Sequence, residues 1–320
     1  MKLITVDDLT SQQIFAIWAL AQQPGLAVSG NIGWSFEGNG IRTRTTFIKA
    51  FRQLGLECIE LPNLLKTRER VYDLAGYLDP FYSAYVIREA DHQRLRDFAQ
   101  ASARPVINAM SSAGHPCEVL SDGFYIHSRF GNIRDVRIGL WGPVTNVMSS
   151  WHQLAKSLGM VVEHFCDARF HLENPNVRFS DVVNRHVDIL ITDSWPAGYA
   201  DQRWSLTAVN LASLGEPALL PTPPFNIGEE LGLDPVGYPG FAGYEQKAVL
   251  LDVQRAIVAY ALGVERGPAS EPLMLSGQIS PVASEPPTVA PRARQQAAHL
   301  LAMHGTRSAT PQTFRPLSRL

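Results

Sequence analysis

The chain has 320 residues, 45% hydrophobic and 18% charged, with a net charge of −2. This length favours two domains that each bury a core, and the near-neutral balance argues against general nucleic-acid binding, which favours a strongly basic face. No apolar run approaches the roughly 18 residues that cross a bilayer, and Cys58, Cys117 and Cys166 have neither CxxC spacing nor a secretory leader before them, so a soluble protein in a reduced cytoplasm is expected.

In chain order, Asp7-Asp8-Leu9-Thr10 reads as a cap for a helix with the stripe Ile14, Ile17, Trp18 and Leu20. Strand and helix patterns then alternate: Asn31 to Phe36, helix Thr43 to Leu54, Glu57 to Leu61, a helix near Arg68 to Leu78, Ala84 to Ile87, helix Asp91 to Ala101, and Pro105 to Asn108. Such alternation predicts a parallel sheet with crossover helices. His115 to Phe130 reads as a helix leaving this sheet, and Asn132-Ile133-Arg134 as a hinge.

A second unit follows, with strand Val136 to Trp141, turn Gly142-Pro143-Val144-Thr145, helix Asn146 to Leu158, and strand Met160 to Phe165. It lacks GxGxxG, so the close backbone approach that a dinucleotide needs is missing and NAD is not expected. Val187 to Thr192 and Ala218 to Leu220 read as further strands, and Tyr244 to Leu262 as one long amphipathic helix. The expectation is an α/β protein of two Rossmann-like domains with parallel sheets, residues 1–130 and 131–243, linked by interdomain helices. Eight of the 22 prolines fall between Gly267 and Leu320, where five arginines face two glutamates. Residues 264–320 therefore read as a disordered Pro/Ala-rich tail, with a weak interaction role as the alternative.

Chemistry concentrates in Trp34-Ser35-Phe36-Glu37-Gly38-Asn39-Gly40-Ile41-Arg42-Thr43-Arg44, a strand, a glycine-rich turn and a helix opening on Arg-Thr-Arg. Free N–H groups at a helix start carry partial positive charge, and guanidiniums fork onto phosphate oxygens, so this segment suits an anion. The competing reading is an ordinary strand–helix turn with solvated arginines. Val86-Ile87-Arg88, Ala113-Gly114-His115-Pro116-Cys117-Glu118 and Ile191-Thr192-Asp193-Ser194-Trp195 follow in the chain.

In that order and at those distances the segments resemble the aspartate and ornithine carbamoyltransferases, over residues 5 to 265. The family's phosphate loop reads Phe-Glu-x-x-Ser-Thr-Arg-Thr-Arg; Phe36-Glu37 and Arg42-Thr43-Arg44 are in register with it, Arg88 with a strand-end arginine, and His115-Pro116-Cys117-Glu118 with a His-Pro-x-Gln motif. The ordered set, rather than any single match, carries the resemblance. It implies a site between two domains, carbamoyl phosphate as one substrate and a small amine or amino acid as the other, a homotrimer, and a C-terminal helix returning to brace the first domain. No cofactor or metal is implied.

By the same resemblance Arg42 bridges phosphate and anhydride oxygens, Thr43, Arg88 and His115 donate to the carbonyl oxygen, and Arg44 braces the loop through a carboxylate. Glu118 stands where the family has the glutamine that receives the carbamoyl NH2, and a carboxylate can accept that bond. Gly40-Ile41 replaces Ser-Thr, leaving backbone N–H groups as the cradle. Asn146 and Asp193 match positions that hold the α-amino and carboxylate groups of ornithine, with Ser194 and Trp195 beside them. The following Ser-Met-Gly has become Ala197-Gly198-Tyr199, however, and Pro221-Thr222-Pro223-Pro224 replaces a His-Cys-Leu-Pro or His-Pro-Leu-Pro loop. Pro223 therefore lines a wall without imidazole or thiol, and the acceptor is expected to be an unusual amino acid rather than ornithine or aspartate. Lys66, Arg68 and Arg70 are candidates for a basic residue lent by a neighbouring subunit.

Rival readings are a related acyl or amidino phosphate as donor, and a degenerate paralogue that binds or regulates without transfer. Residue by residue, His115 could be a helix-start histidine, Arg88 a surface residue, Asp193 a strand-end cap and Trp195 packing. His164, Cys166 and His171 straddle a strand end without a fourth ligand, so zinc is not expected. Cys117 reads as an inert buried thiol.

Overall fold

The computed structural model describes residues 1–264. The tail expected over 264–320 lies outside the described residues, apart from Val264 itself. Within them, two five-stranded sheets, wholly parallel, follow one another along the chain.

The first sheet contains β1 (Lys2–Leu3), β2 (Asn31–Phe36), β3 (Glu57–Glu60), β4 (Ala84–Arg88) and β5 (Val106–Met110), in the order β1-β5-β4-β2-β3. Its helices are α1 (Ser11–Ala21), α2 (Ile41–Leu54), α3 (Val71–Leu78) and α4 (His92–Ala101). Thr10 caps α1 in a reciprocal box with Gln13, which satisfies two orphan N–H groups at the helix start. Phe47, Ala50, Phe51 and Leu54 of α2 are fully buried, as their spacing predicts.

Helix α5 (Pro116–Phe130) leads into the second sheet, made of β6 (Ile138–Trp141), β7 (Val162–Phe165), β8 (Val177–Ser180), β9 (Ile189–Thr192) and β10 (Ala218–Pro221) in the order β10-β9-β6-β7-β8, with α6 (Asn146–Leu158) and α7 (Ala208–Ser213). The segment expected as one C-terminal helix is two, α8 (Gly243–Ala248) and α9 (Leu250–Ala261), meeting at Val249. The break lets the segment serve both sheets: α8 contacts β10 and α5, and α9 packs against α1, α2 and α5.

Strand order fixes where a ligand can bind. In each sheet the chain leaves a central strand in one direction and returns on its other side, so the loops after β2 and β4, and after β6 and β9, diverge at the carboxyl ends. Such switch points open a crevice in parallel sheets. Gly40 and Arg88 flank the first, and Thr145 and Asp193 the second.

Candidate active site

A cavity of about 780 Å³ joins the two switch points. From the first sheet it is lined by Gly40, Ile41, Arg42, Thr43, Arg88, His115 and Glu118; from the second by Asn146, Asp193, Ser194 and Pro223. Eleven of the twelve substrate and catalytic positions expected from sequence thus face one hollow. The exception is Trp195, which lines no part of it. Its indole is buried in the second sheet's core, edge-on to Tyr199 at 5.2 Å, because a large apolar ring gains more from that core than from a polar wall.

Backbone geometry builds the anion side. Gly40 caps α2 with φ +28° and ψ 45°, so the helix starts at Ile41, two residues earlier than expected, and its first N–H groups open toward the cavity. A side chain at residue 40 would collide with the Phe36 ring and Arg88. The serine of a hydroxyl-lined cradle therefore has no room at residue 40. Two guanidiniums lie over Phe36, Arg44 at 4.8 Å and Arg88 at 5.2 Å from its centroid, which fixes their directions. Arg44 bonds Glu60 at 3.1 Å and the Phe36 carbonyl at 3.4 Å, so it braces the loop through a carboxylate. Arg42 is exposed at the helix mouth, while Thr43 is buried.

Arg88 ends β4, half-buried, and burial lowers its pKa against the pull of Glu37. Lys66 is engaged within its own chain by Glu37 at 3.2 Å and Glu89 at 2.5 Å, and Arg70 by Asp73 at 2.7 Å. Neither lines the cavity.

His115 precedes α5, and its backbone N–H donates to Ser150 Oγ at 2.9 Å, tying α5 to α6. Burial first, then Arg88 and Lys247, pulls its imidazole down to about 3, so it is neutral near pH 7. Nδ1 has no hydrogen-bond partner among the described residues. A neutral ring carries one N–H and one lone pair, so this residue of the cavity lining has one ring hydrogen bond to donate. Cys117, by contrast, points its thiol at the Asn108 carbonyl, and burial pushes its pKa far up, as suits an inert thiol.

On the opposite wall Asn146 donates to the Ser111 carbonyl at 2.8 Å, and Ser194 Oγ donates to the Pro224 carbonyl. Burial raises the Asp193 carboxyl to about 6, opposed by bonds from Thr145 and the Ser194 N–H. Away from the cavity, His164 Nδ1 meets His152 Nε2 at 2.9 Å and its Nε2 meets the Gly142 carbonyl at 2.9 Å.

Sequence reasoning missed Lys247. It stands on α8 in the cavity lining, with its ammonium against the Glu118 carboxylate and 3.6 Å from Asp122. The available signal was its place on the stripe Gly243, Lys247, Leu250, where a lysine meets a buried face.

A family model described as "Aspartate/ornithine carbamoyltransferase, carbamoyl-P binding domain" matches residues 2–128. Ornithine carbamoyltransferase of Nostoc sp. is 28% identical over 299 residues, covering 82% of this chain and 97% of that protein. The crystal structure of ornithine carbamoyltransferase from Gloeobacter violaceus superposes with a TM-score of 0.72 at 25% identity, covering 82% of this chain and 98% of that one. An N-acetyl-L-ornithine transcarbamylase variant, solved with carbamyl phosphate and N-succinyl-L-norvaline, gives a TM-score of 0.69 at 18% identity, covering 82% of this chain and 99% of that one.

Proposed function

The chain belongs to the aspartate/ornithine carbamoyltransferase family of transferases, and we propose that it moves a carbamoyl group from carbamoyl phosphate to an amine other than ornithine or aspartate. The observation carrying this reading is the convergence of Arg42, Arg88 and His115 with the α2 helix mouth on one cavity, opposite Asn146 and Asp193.

The reaction needs a held phosphate, donors for a carbonyl oxygen gaining charge, and a neutral nitrogen nearby. Arg42 and the N–H groups at the start of α2 hold the phosphate. Thr43, Arg88 and neutral His115 donate to the carbonyl oxygen, and such preorganised donors are each worth about 10²–10³ in rate. The nitrogen lone pair forms the new C–N bond, the C–O bond to phosphate breaks with its electrons leaving on phosphate, and the proton shed by nitrogen ends on phosphate. Residues 1–130 then serve as the phosphate domain, with α9 of the 244–262 segment packed back on it, and 131–243 as the amine domain.

The amine wall supports the unusual acceptor. Among the described residues that the second sheet contributes to the lining, Asp193 is the one charged side chain, and Val144, Val147, Pro196, Pro223 and Pro224 supply its apolar part. That surface suits an ammonium or amide N–H facing Asp193 and an apolar body against the prolines, and it offers no cation for the second carboxylate of aspartate. A cytoplasmic homotrimer belongs to the same reading. Tyr72 and Tyr77 on α3 are 74% and 75% exposed, an apolar surface suited to a neighbouring subunit. Labelled carbamoyl phosphate screened against a panel of amino acids and their N-acyl derivatives tests the reading. Transfer to one of them supports it, and binding without transfer to any favours a degenerate paralogue.

A further inference from the structure

Where α5 and α8 meet behind the cavity wall, three titratable side chains pack together. Glu118 and Asp122 lie one turn apart on α5, and their side chains are 6% and 2% exposed; Lys247 on α8 is 16% exposed. The Lys247 ammonium contacts Glu118 directly, and Gln246 donates its amide to Asp122. Burial holds the Asp122 carboxyl well above its usual range, and it lies 3.6 Å from the Lys247 ammonium that Glu118 contacts directly, so Glu118 is the closer partner of Lys247.

Both Glu118 and Lys247 line the cavity that holds Arg42 and Arg88. A lone carboxylate there would oppose the two guanidiniums and weaken their hold on an anion, and a lone buried ammonium would be costly to desolvate. One proton shared between the two groups removes both problems. Whether it sits on nitrogen or on oxygen, the pair is net neutral.

We propose that Lys247 is a positioning residue that keeps Glu118 charge-neutral and fixes its direction, so that Glu118 turns an accepting oxygen toward an N–H of the phosphorylated electrophile while Arg42 and Arg88 keep their charge for phosphate. The inference rests on the carbamoyl phosphate site described above. Burial and the neighbouring Arg42 pull Lys247 down to about 7, so an unpaired ammonium there is poorly held and the Glu118 contact is what retains it.

The test is a double-mutant cycle on the full chain: Lys247→Met, Glu118→Gln and the double variant, titrated calorimetrically with carbamoyl phosphate and with inorganic phosphate, alongside the melting temperature of each. Lys247→Met exposes the phosphate pocket to an unpaired carboxylate, so both ligands bind about tenfold or more weakly, while the double variant recovers to within about threefold of the parent, as expected for directly coupled charges. Unchanged binding in Lys247→Met, or a double variant no better than that single variant, overturns the proposal. Should Lys247→Met not fold, the double variant decides alone: near-parental affinity supports the pairing, and a folded double variant that binds more than about tenfold weaker overturns it. If the parent chain gives no heat with carbamoyl phosphate, the site reading itself fails and this inference falls with it, an outcome distinct from a failure confined to the variants.

Discussion

A β-carbon on Gly40 would stand 2.8 Å from Nη1 of Arg88 and 2.6 Å from the ring of Phe36. The glycine at the mouth of α2 thus sets where the strand-end guanidinium of β4 points. Gly40→Ala must displace Arg88 or Phe36 and also adopt a φ near +28°, at a cost of about 1 kcal/mol in backbone strain. The expected outcome is a folded protein whose affinity for carbamoyl phosphate falls about tenfold, read by calorimetry with melting temperature as the control.

Asp193 lines the cavity from the second sheet, and Arg42 and Arg88 line it from the first. If the proposed acceptor site is right, Asp193→Asn removes its charge without touching Arg42 or Arg88, so KM for the acceptor rises by about tenfold or more while carbamoyl phosphate binding stays within about twofold. Because burial holds this carboxyl at about 6, it ionises as pH rises through that value, and acceptor affinity in the parent should climb there. The stability contribution runs the other way. Between roughly pH 4 and 6 the folded chain keeps a proton that the unfolded chain has released, so stability declines with rising pH across that window, and Asp193→Asn should flatten the decline. A thermal melt series of the two proteins measures it.

The buried imidazoles predict acid sensitivity. Burial lowers His152 to about 4 and His164 to about 3, so the unfolded chain takes up protons below about pH 6.5 that the folded chain excludes. The stability these rings contribute is present above pH 6.5 and is lost as pH falls toward 4. His152→Gln should lose less melting temperature between pH 7 and pH 5 than the parent; an equal loss would assign acid sensitivity elsewhere.

The parallel sheets were legible because their strands are short apolar runs between amphipathic stretches, and strand-end polar residues such as Arg88 and Asp193 stand out against such runs. Gly40 and the Arg-Thr-Arg run were legible for the same reason: a helix mouth and guanidiniums announce anion chemistry locally. What escaped depends on distant parts of the chain. The start of α2 at Ile41 follows from a glycine cap that has no side chain to signal it. The edge strand β8 has a short, mostly half-buried run with little alternation. Lys247 acquires its meaning only when α8 reaches α5, across more than a hundred residues, and Trp195 follows its core rather than the Asp-Ser before it.

Arg42 sits exposed at a helix start, outside any core, so Arg42→Ala should leave the melting temperature within a few degrees of the parent while removing a charge-assisted fork from the phosphate. The most direct measurement is calorimetric titration of carbamoyl phosphate into the parent chain and into Arg42→Ala. Saturable one-to-one binding by the parent, weakened about a hundredfold or more in the variant, is the predicted result. Absence of heat in the parent, or equal affinity in both, would contradict the phosphate pocket on which the account stands.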